Sequence, residues 1–430
     1  MTRSSSIRQL RQLSVLSTQS TRSSVTAVLA TSCLLLSQIT SAEGFSLSWF
    51  FNDRLYRAIG APKSIDDIFY PDEPIQLNDV YEDFRVYWNI PTFQCHKYGY
   101  NFTEVAEWGI YQNKGDNFRG DQISLLYDPG LFPALLQGTE SSRNDYIIRN
   151  GGVPHEGNLT KHLQVFTEDV VKRLVPDSKF AGIAVIDFEH WRPMYDENFG
   201  SLQSYKDYSM EIERYYHPLW PDSERQKEAA RKFEKAAYQF LKRTLEIAKS
   251  LRPKAHWGYY GYPFCFNYTP KNNQPNCSPG VIKNNEKTKW LFEESTAIYP
   301  SLYYKSEDMS VETRAKFMKG RMMEALRVSK MTSPKKPVYA YTWLKYYDTK
   351  QFVEKADLLN SLTIPKRNGA TGIIIWGASN DVNNEKKCKS LLNYLNGVLG
   401  PTLKTFYKTK KKQLRRRKAK MDDFFDYFVG

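Results

Sequence analysis

The sequence of 430 residues is poor in histidine and cysteine and, after its first 42 residues, has no long apolar run. Its six histidines show none of the paired spacings that hold a metal ion, so we expect no metal site and no cofactor. A membrane helix needs about 20 consecutive apolar residues, so we expect no membrane span in the mature chain. The glycine-rich loop of nucleotide enzymes and the nucleophile elbow of serine hydrolases are also missing. These absences exclude several large classes of enzyme.

Residues 1–42 have the composition of a secretory signal. They hold four arginines and no acid, then an apolar block from Ala27 to Leu36, then Thr40-Ser41-Ala42. This order of basic, apolar and small residues predicts cleavage after Ala42 and secretion to the extracellular space. A transit peptide rich in Ser and Arg is the alternative, but such peptides are amphipathic and lack one compact apolar block.

Four cysteines remain when Cys33 leaves with the signal, and an even number suits a secreted protein with disulfides. The four permit three pairings. The short separation of Cys265 and Cys277 across a loop rich in Pro and Asn favours that pair, which leaves Cys95 with Cys388. Three sequons predict N-glycosylation of surface loops, at Asn101, Asn158 and Asn267.

The formal net charge of +14 is concentrated at the two ends of the chain. Besides the arginines of the signal, Lys404 to Lys420 holds ten basic residues and no acid. We therefore divide the chain into a signal peptide (1–42), a folded domain (43–400) and a basic, disordered tail (401–430). We expect the tail to bind polyanions such as heparin. We expect no nucleic-acid role, because the signal routes the chain out of the cell.

Short segments rich in β-branched and aromatic residues recur along the folded domain, with helical patterns between them. This alternation predicts an α/β fold in which a parallel sheet closes as a TIM-like (β/α) barrel. In the longest helical pattern, Ser223 to Leu251, apolar residues recur at spacings of three and four, which is typical of a helix packed on a core. The seven predicted strands are Arg85 to Trp88, Ile123 to Tyr127, Ile183 to Phe188, His256 to Tyr260, Ala297 to Tyr303, Val338 to Thr342 and Gly372 to Trp376.

Two acids stand at the carboxyl end of the third predicted strand, where barrel enzymes hold their active sites. The apolar run from Ala184 ends in Asp187 and Glu189. Side chains two residues apart share a face of a strand, so these carboxyls lie together and Phe188 points into the core. Two neighbouring carboxyls cannot both ionise cheaply, so one keeps the proton that a general acid needs. Taken alone, an Asp-x-Glu more often forms structural salt bridges.

The sequence resembles the hyaluronidase family of glycoside hydrolases over nearly all of residues 80–400. Several long motifs in the same order make this resemblance specific. It implies a distorted barrel of seven parallel strands, and it supports the disulfide pairing favoured above. The segments that carry it are Tyr87-Trp88-Asn89-Ile90-Pro91-Thr92, Tyr127-Asp128-Pro129-Gly130-Leu131-Phe132-Pro133, Arg149-Asn150-Gly151-Gly152-Val153-Pro154, Ile186-Asp187-Phe188-Glu189-His190-Trp191-Arg192-Pro193, Trp257-Gly258-Tyr259-Tyr260-Gly261-Tyr262-Pro263 and Ile375-Trp376-Gly377-Ala378-Ser379.

The resemblance also implies roles for single residues. Glu189 is expected to donate the proton, Asp187 to position the substrate acetamide and Tyr260 to support that group. Arg192 is expected to meet a uronate carboxylate, and aromatic side chains to line a sugar groove. The residues expected to bind substrate are Tyr127, Arg192, Tyr260, Tyr303, Trp376 and Ser379.

The position of the acid pair also predicts a mechanism. A glycosidase that uses two carboxyls needs the second one across the sugar ring, whereas Asp187 and Glu189 leave one strand on one face. The nucleophile is therefore expected to be the N-acetyl oxygen of the substrate itself, with net retention at the anomeric carbon. We expect hyaluronan to be the substrate. The alternatives are a hydrolase that prefers chondroitin and a secreted, non-catalytic glycan-binding protein on the same barrel; the intact acid pair argues against the second.

Overall fold

The computed structural model describes residues 84–137 and 146–407. The predicted signal peptide and most of the basic tail lie outside these residues. The strands are β1 Arg85–Asn89, β2 Ile110–Tyr111, β3 Ile123–Tyr127, β4 Ala134–Gln137, β5 Tyr146–Arg149, β6 Ile183–Asp187, β7 His256–Tyr259, β8 Tyr339–Trp343 and β9 Gly372–Trp376. The α-helices are α1 Leu159–Asp169, α2 Gln203–Tyr216, α3 Asp222–Leu251, α4 Pro279–Lys287, α5 Lys289–Glu294, α6 Val311–Lys330, α7 Lys355–Arg367 and α8 Glu385–Tyr394.

Two parallel sheets and one irregular segment form the barrel. The sheets have the strand orders β2-β1-β9-β8 and β3-β6-β7, and β4 pairs with β5 in a separate antiparallel hairpin. The segment predicted as a strand from Ala297 to Tyr303 joins the two sheets through single bridges instead of a continuous ladder. Pro300 has no N–H to donate, which interrupts regular pairing there. The predicted distorted barrel of parallel strands is confirmed. The bridges are Tyr260 with Tyr299, Ile298 with Val338 and Ser301 with Tyr341.

Side chains close the barrel between β2 and β3. The amide of Asn113 donates to the carbonyl of Ile123 (2.9 Å), and its oxygen accepts from the backbone N–H groups of Ile123 (2.9 Å) and Gln122 (2.8 Å). The Arg119 guanidinium donates to the carbonyl of Leu125 (2.8 Å). These bonds satisfy backbone groups at the edge of β3 that a neighbouring strand would otherwise pair.

The residues of each strand alternate between the barrel interior and the helices outside. In β6, Ile183 and Val185 point inward, while Ala184 and Ile186 pack against the surrounding layer. Asp187 follows the inward series at the carboxyl end. The predicted apolar stripe of α3 is confirmed, since its buried side chains include Phe233. Each large apolar side chain buried in this way contributes roughly 1.5–3 kcal/mol. The interior is filled by Tyr87, Ile123, Leu125, Ile183, Val185, Ala297, Tyr299, Tyr339, Tyr341 and Ile374.

Two disulfides join parts of the chain as predicted. Cys95 bonds Cys388 across 293 residues, with the Cα atoms 5.6 Å apart. Cys265 bonds Cys277 across 12 residues. The first bond ties the segment after β1 to α8 and restricts the unfolded chain far more than the second, because it closes a much longer loop.

The packed part of the chain extends past the boundary predicted at residue 400. Residues 400–407 continue the C-terminal helix. Leu403 and Phe406 are buried, and the ring of Phe406 meets that of Phe84 edge-on at 5.8 Å. These two residues form the apolar face of the helix. The many basic residues around them in the sequence made this segment look like part of the tail. Among the helices of residues 84–137 and 146–407, none is long and apolar enough to cross a membrane.

Candidate active site

The acid pair lies at the carboxyl end of β6. Asp187 ends the strand and Glu189 follows two residues later, and their carboxyls share a hydrogen bond. Phe188 between them points away, as predicted, and its ring is 4.1 Å from that of Phe132 and 4.7 Å from that of Trp191. This packing fixes the backbone from which both carboxyls project, so they stay together at the mouth of the barrel.

The surroundings of the pair hold one proton on it at neutral pH. Burial, followed by repulsion from Glu189, raises the pKa of Asp187 to about 8. Burial also raises the pKa of Glu189, against the opposing effects of the hydrogen bond with Asp187 and the charges of Arg192 and His190. Because the two carboxyls cannot both be ionised cheaply, they share one proton across their hydrogen bond. One group can therefore donate a proton while the other carries charge.

Aromatic side chains from four parts of the barrel meet beside the pair. The indole N–H of Trp376 donates to the Tyr127 hydroxyl (2.8 Å), and the Trp376 ring stacks on Tyr303 with centroids 5.5 Å apart. Tyr260 lies 6.0 Å from Tyr303, and its hydroxyl donates to Ser301 (3.1 Å). The structure thus brings together the four aromatic residues that are expected to bind substrate.

Two further aromatic residues extend this surface and were not predicted. The ring of Phe118 stacks on Tyr127 at 5.8 Å, and Trp343 meets Trp376 at 5.3 Å. Trp343 ends β8 directly opposite Trp376 at the end of β9. An aromatic residue at a strand end was the signal that identified Trp376, and it could have identified Trp343. The loop position of Phe118 gave no such signal.

Arg192 lies beside Glu189 in a cavity of about 230 Å³. Its guanidinium donates to the carbonyl of Glu197 (2.5 Å) and lies among three phenylalanine rings at 4.8–5.1 Å. Burial lowers the pKa of Arg192. Contact with a uronate carboxylate remains a prediction for this residue. The cavity is lined by Phe188, Glu189, Trp191, Arg192, Tyr260, Gly261, Tyr262, Pro263, Phe264, Cys265, Phe266, Ser301 and Arg321.

Arg321 of α6 is a second cation in the same cavity, and the sequence analysis missed it. Its guanidinium donates to Asn267 Oδ1 and to the carbonyl of Ser301, both at 3.0 Å, and stacks on Phe317 at 4.1 Å. Burial lowers its pKa to about 10, so it stays charged at neutral pH. Among the cavity-lining residues, two cations face the single acid Glu189. Such a balance suits an anionic ligand.

The structure corrects the predicted glycosylation of Asn267. This side chain is buried, and its amide nitrogen donates to the carbonyls of Pro275 (2.8 Å) and Phe317 (3.0 Å). A glycan would replace one of the two hydrogens on that nitrogen, which removes one of these bonds, and the buried position has no room for it. Asn101 and Asn158 are exposed and remain predicted glycosylation sites.

Asp128, in the loop after β3, is a third acid near the pair that the sequence analysis did not select. Arg149 donates two hydrogen bonds to its carboxylate, at 2.5 and 2.9 Å, and His190 Nε2 lies 3.1 Å from the same group. Although burial opposes it, these bonds hold the pKa of Asp128 below its usual value. Asp128 is therefore ionised, and its carboxylate is held by Arg149 and His190.

Ser379 lies at the exposed start of the turn that follows β9. Asp381 holds this turn, accepting from the Ala378 N–H and the Trp343 indole N–H, both at 2.9 Å. Ser379 thus stands near the aromatic surface, three residues beyond Trp376. Its contact with substrate remains a prediction. No cluster of three or more His, Cys, Asp or Glu that could hold a metal ion occurs in residues 84–137 and 146–407.

The chain is similar to a group of known proteins. A family model described as hyaluronidase, of glycoside hydrolase family 56, matches residues 75–412. A hyaluronidase from Apis mellifera is 46% identical over 330 residues, covering 76% of this chain and 85% of that protein. The crystal structure of bee venom hyaluronidase matches with a TM-score of 0.71 over 75% of this chain and all of the other. Bee venom hyaluronidase in complex with a hyaluronic acid tetramer matches at 45% identity with a TM-score of 0.72, over 75% of this chain and 98% of the other.

Proposed function

The chain belongs to the hyaluronidase family of glycoside hydrolases, and from this we propose that it cleaves hyaluronan internally, at its N-acetylhexosamine residues. The observation that carries the proposal is the pair of hydrogen-bonded carboxyls of Asp187 and Glu189 beside an aromatic groove. The related bee enzyme has been crystallised with a hyaluronic acid tetramer. The two cations of the adjoining cavity suit the uronate groups of such a polymer.

The proposed reaction has two steps. In the first, the N-acetyl carbonyl oxygen attacks the anomeric carbon, the glycosidic bond breaks, and Glu189 gives its proton to the leaving oxygen. Asp187 accepts a hydrogen bond from the amide N–H and stabilises the charged ring. In the second step, the Glu189 carboxylate takes a proton from water, and the water oxygen opens the ring with net retention.

The surroundings of the third acid support a nucleophile from the substrate. A nucleophilic carboxylate must be free to approach the anomeric carbon. Asp128 instead accepts two hydrogen bonds from Arg149 and one from His190. With Asp128 bonded to Arg149 and His190, and the other two acids together at the end of one strand, the acetamide is the nucleophile that fits the site.

The test is a comparison of two polymers. Incubating the mature protein with hyaluronan and with chondroitin, and sizing the products over time, should show rapid shortening of hyaluronan into oligosaccharides. If chondroitin were cleaved faster than hyaluronan, chondroitin would become the proposed substrate. Binding of both without any cleavage would support the glycan-binding alternative and contradict the reaction.

We further propose that the chain is secreted after cleavage at Ala42 and carries glycans at Asn101 and Asn158. The basic residues beyond 407 are proposed to bind polyanions, including sulfated chains such as heparin, by screened Coulomb attraction. Mass spectrometry of the secreted protein, before and after enzymatic deglycosylation, tests the cleavage site and both glycans.

A further inference from the structure

Asp128 is tied to the acid pair through the backbone. Strands β3 and β6 run parallel with Tyr127 opposite Asp187. The N–H of Asp128 continues this pairing and donates to the carbonyl of Asp187 (2.8 Å). This bond fixes the backbone of Asp128 beside that of Asp187, and the side-chain partners of Asp128 then fix its carboxylate.

The side chains that bond the Asp128 carboxylate come from β5 and the loop after β6, and its charge also acts on His162 of α1 and Tyr205 of α2. Arg149 at the end of β5 bonds it twice and also donates to the carbonyl of Phe132 (2.8 Å), which fixes the guanidinium. His190, directly after Glu189, donates from Nε2, and its ring packs on that of Phe188 at 5.6 Å. The charge of Asp128 also acts on Asp187 of β6. One carboxylate thus connects a cation, an imidazole and the acid pair.

We propose that Asp128 and His190 are positioning residues that set, in opposite directions, the pH range over which the acid pair works. Burial and repulsion from Glu189 raise the pKa of Asp187 most, and the negative charge of Asp128 adds to them. The imidazole of His190 favours the ionised form of Glu189 and acts to lower its pKa. The inference rests on the proposed function of the pair.

The two variants that test it are Asp128→Asn and His190→Gln, with kcat/KM for hyaluronan measured across pH. Asp128→Asn should move both limbs of the profile to lower pH, because the pair loses a repelling negative charge and Arg149 remains. His190→Gln should move the profile to higher pH, because Glu189 loses a group that favours its ionised form. We expect shifts of about 0.5 pH unit, because burial and the contacts within the pair contribute more to these pKa values than Asp128 and His190 do.

A matched control is available in His96→Gln. His96 Nε2 lies 3.1 Å from the Asp116 carboxylate, the same separation as in the His190–Asp128 pair, but Asp116 also accepts from Thr92 and Gln112 rather than from groups at the acid pair. The profile of this variant should coincide with that of the wild type. Thermal unfolding of each variant separates a change in folding from a change in the site.

The protonation of the acid pair can also be measured directly, without substrate. Titration of the carboxyl carbons of Asp187 and Glu189 by NMR should show the Asp187 transition at lower pH in Asp128→Asn and the Glu189 transition at higher pH in His190→Gln. Loss of rate with unmoved profiles and titrations, or shifts of both variants in one direction, would overturn the inference. Failure of the wild type to cleave hyaluronan would contradict the proposed function and leave the titration as the deciding measurement.

Discussion

Replacing Glu189 by glutamine should abolish catalysis and make the protein more stable at neutral pH. The change keeps the size of the side chain and its capacity to hydrogen-bond, but removes the transferable proton. General acid catalysis contributes roughly 10²–10⁴-fold, so kcat/KM should fall by at least about a hundredfold. The gain in stability has a separate origin, in the raised pKa of Asp187.

The size of the stability effect follows from proton binding. An unfolded Asp titrates near pH 4, whereas burial and Glu189 raise the pKa of Asp187 to about 8 in the folded protein. Between these values the folded state holds a proton that the unfolded state has lost. The free energy of unfolding therefore falls as pH rises, by at most about 1.4 kcal/mol per pH unit. Glu189→Gln removes the repulsion between the two carboxyls. We therefore expect the free energy of unfolding to rise by about 1–3 kcal/mol at pH 7 and to change little near pH 4.

The assay is urea unfolding of the wild type and Glu189→Gln at pH 4.5, 6 and 7.5, with activity measured on the same preparations. Glu104→Gln, a change of the same kind on an exposed side chain, is the control and should match the wild type in both measurements. Equal stability of Glu189→Gln and wild type at all three pH values would refute the account of the shared proton. Residual activity above about a hundredth of wild type would refute Glu189 as the acid.

Three further predictions concern other parts of the molecule. Hyaluronan with its hexosamines de-N-acetylated should resist cleavage, and NMR at early times on intact polymer should show retention; inversion would exclude the acetamide nucleophile. Replacing the nine basic residues of 408–420 by glutamine should lower the salt concentration for elution from heparin while turnover of short oligosaccharides stays unchanged. Equal elution would reject polyanion binding by the tail. Asn267→Asp should leave the glycan mass unchanged and lower the unfolding temperature, because its buried amide loses two hydrogen bonds, whereas loss of glycan mass would contradict the burial of this side chain.

The parts of the site that could be predicted are those encoded by local spacing. Asp187 and Glu189 are two residues apart on a strand, so their contact follows from the geometry of one segment. Asp128 and Arg149 meet through a hairpin that the sequence analysis did not identify. Arg321 lies on a helix whose charges look like those of any exposed helical face. Such contacts depend on how distant elements pack, which spacing along the chain does not encode.

The fold shows the same division. The alternation of strands and helices was enough to predict the barrel, but the irregular segment around Pro300 was predicted as a full strand because its composition is that of a strand. At the C-terminus, the spacing of Leu403 and Phe406 belongs to a buried helical face, and the density of basic residues around it favoured a disordered tail. In both places the prediction followed the amino-acid composition of the segment. It gave too little weight to a single proline in the first segment and to the spacing of two apolar residues in the second.

The disulfide between Cys95 and Cys388 affects what happens when a protease cuts the chain. The two cysteines are 293 positions apart in the sequence, and most of the barrel lies between them. A single peptide-bond cut anywhere between them leaves two fragments that remain covalently joined. Such a nicked molecule would migrate as one species without reductant and as two with it. The barrel could therefore survive limited proteolysis as an assembled pair of fragments, with β1 still paired to β9.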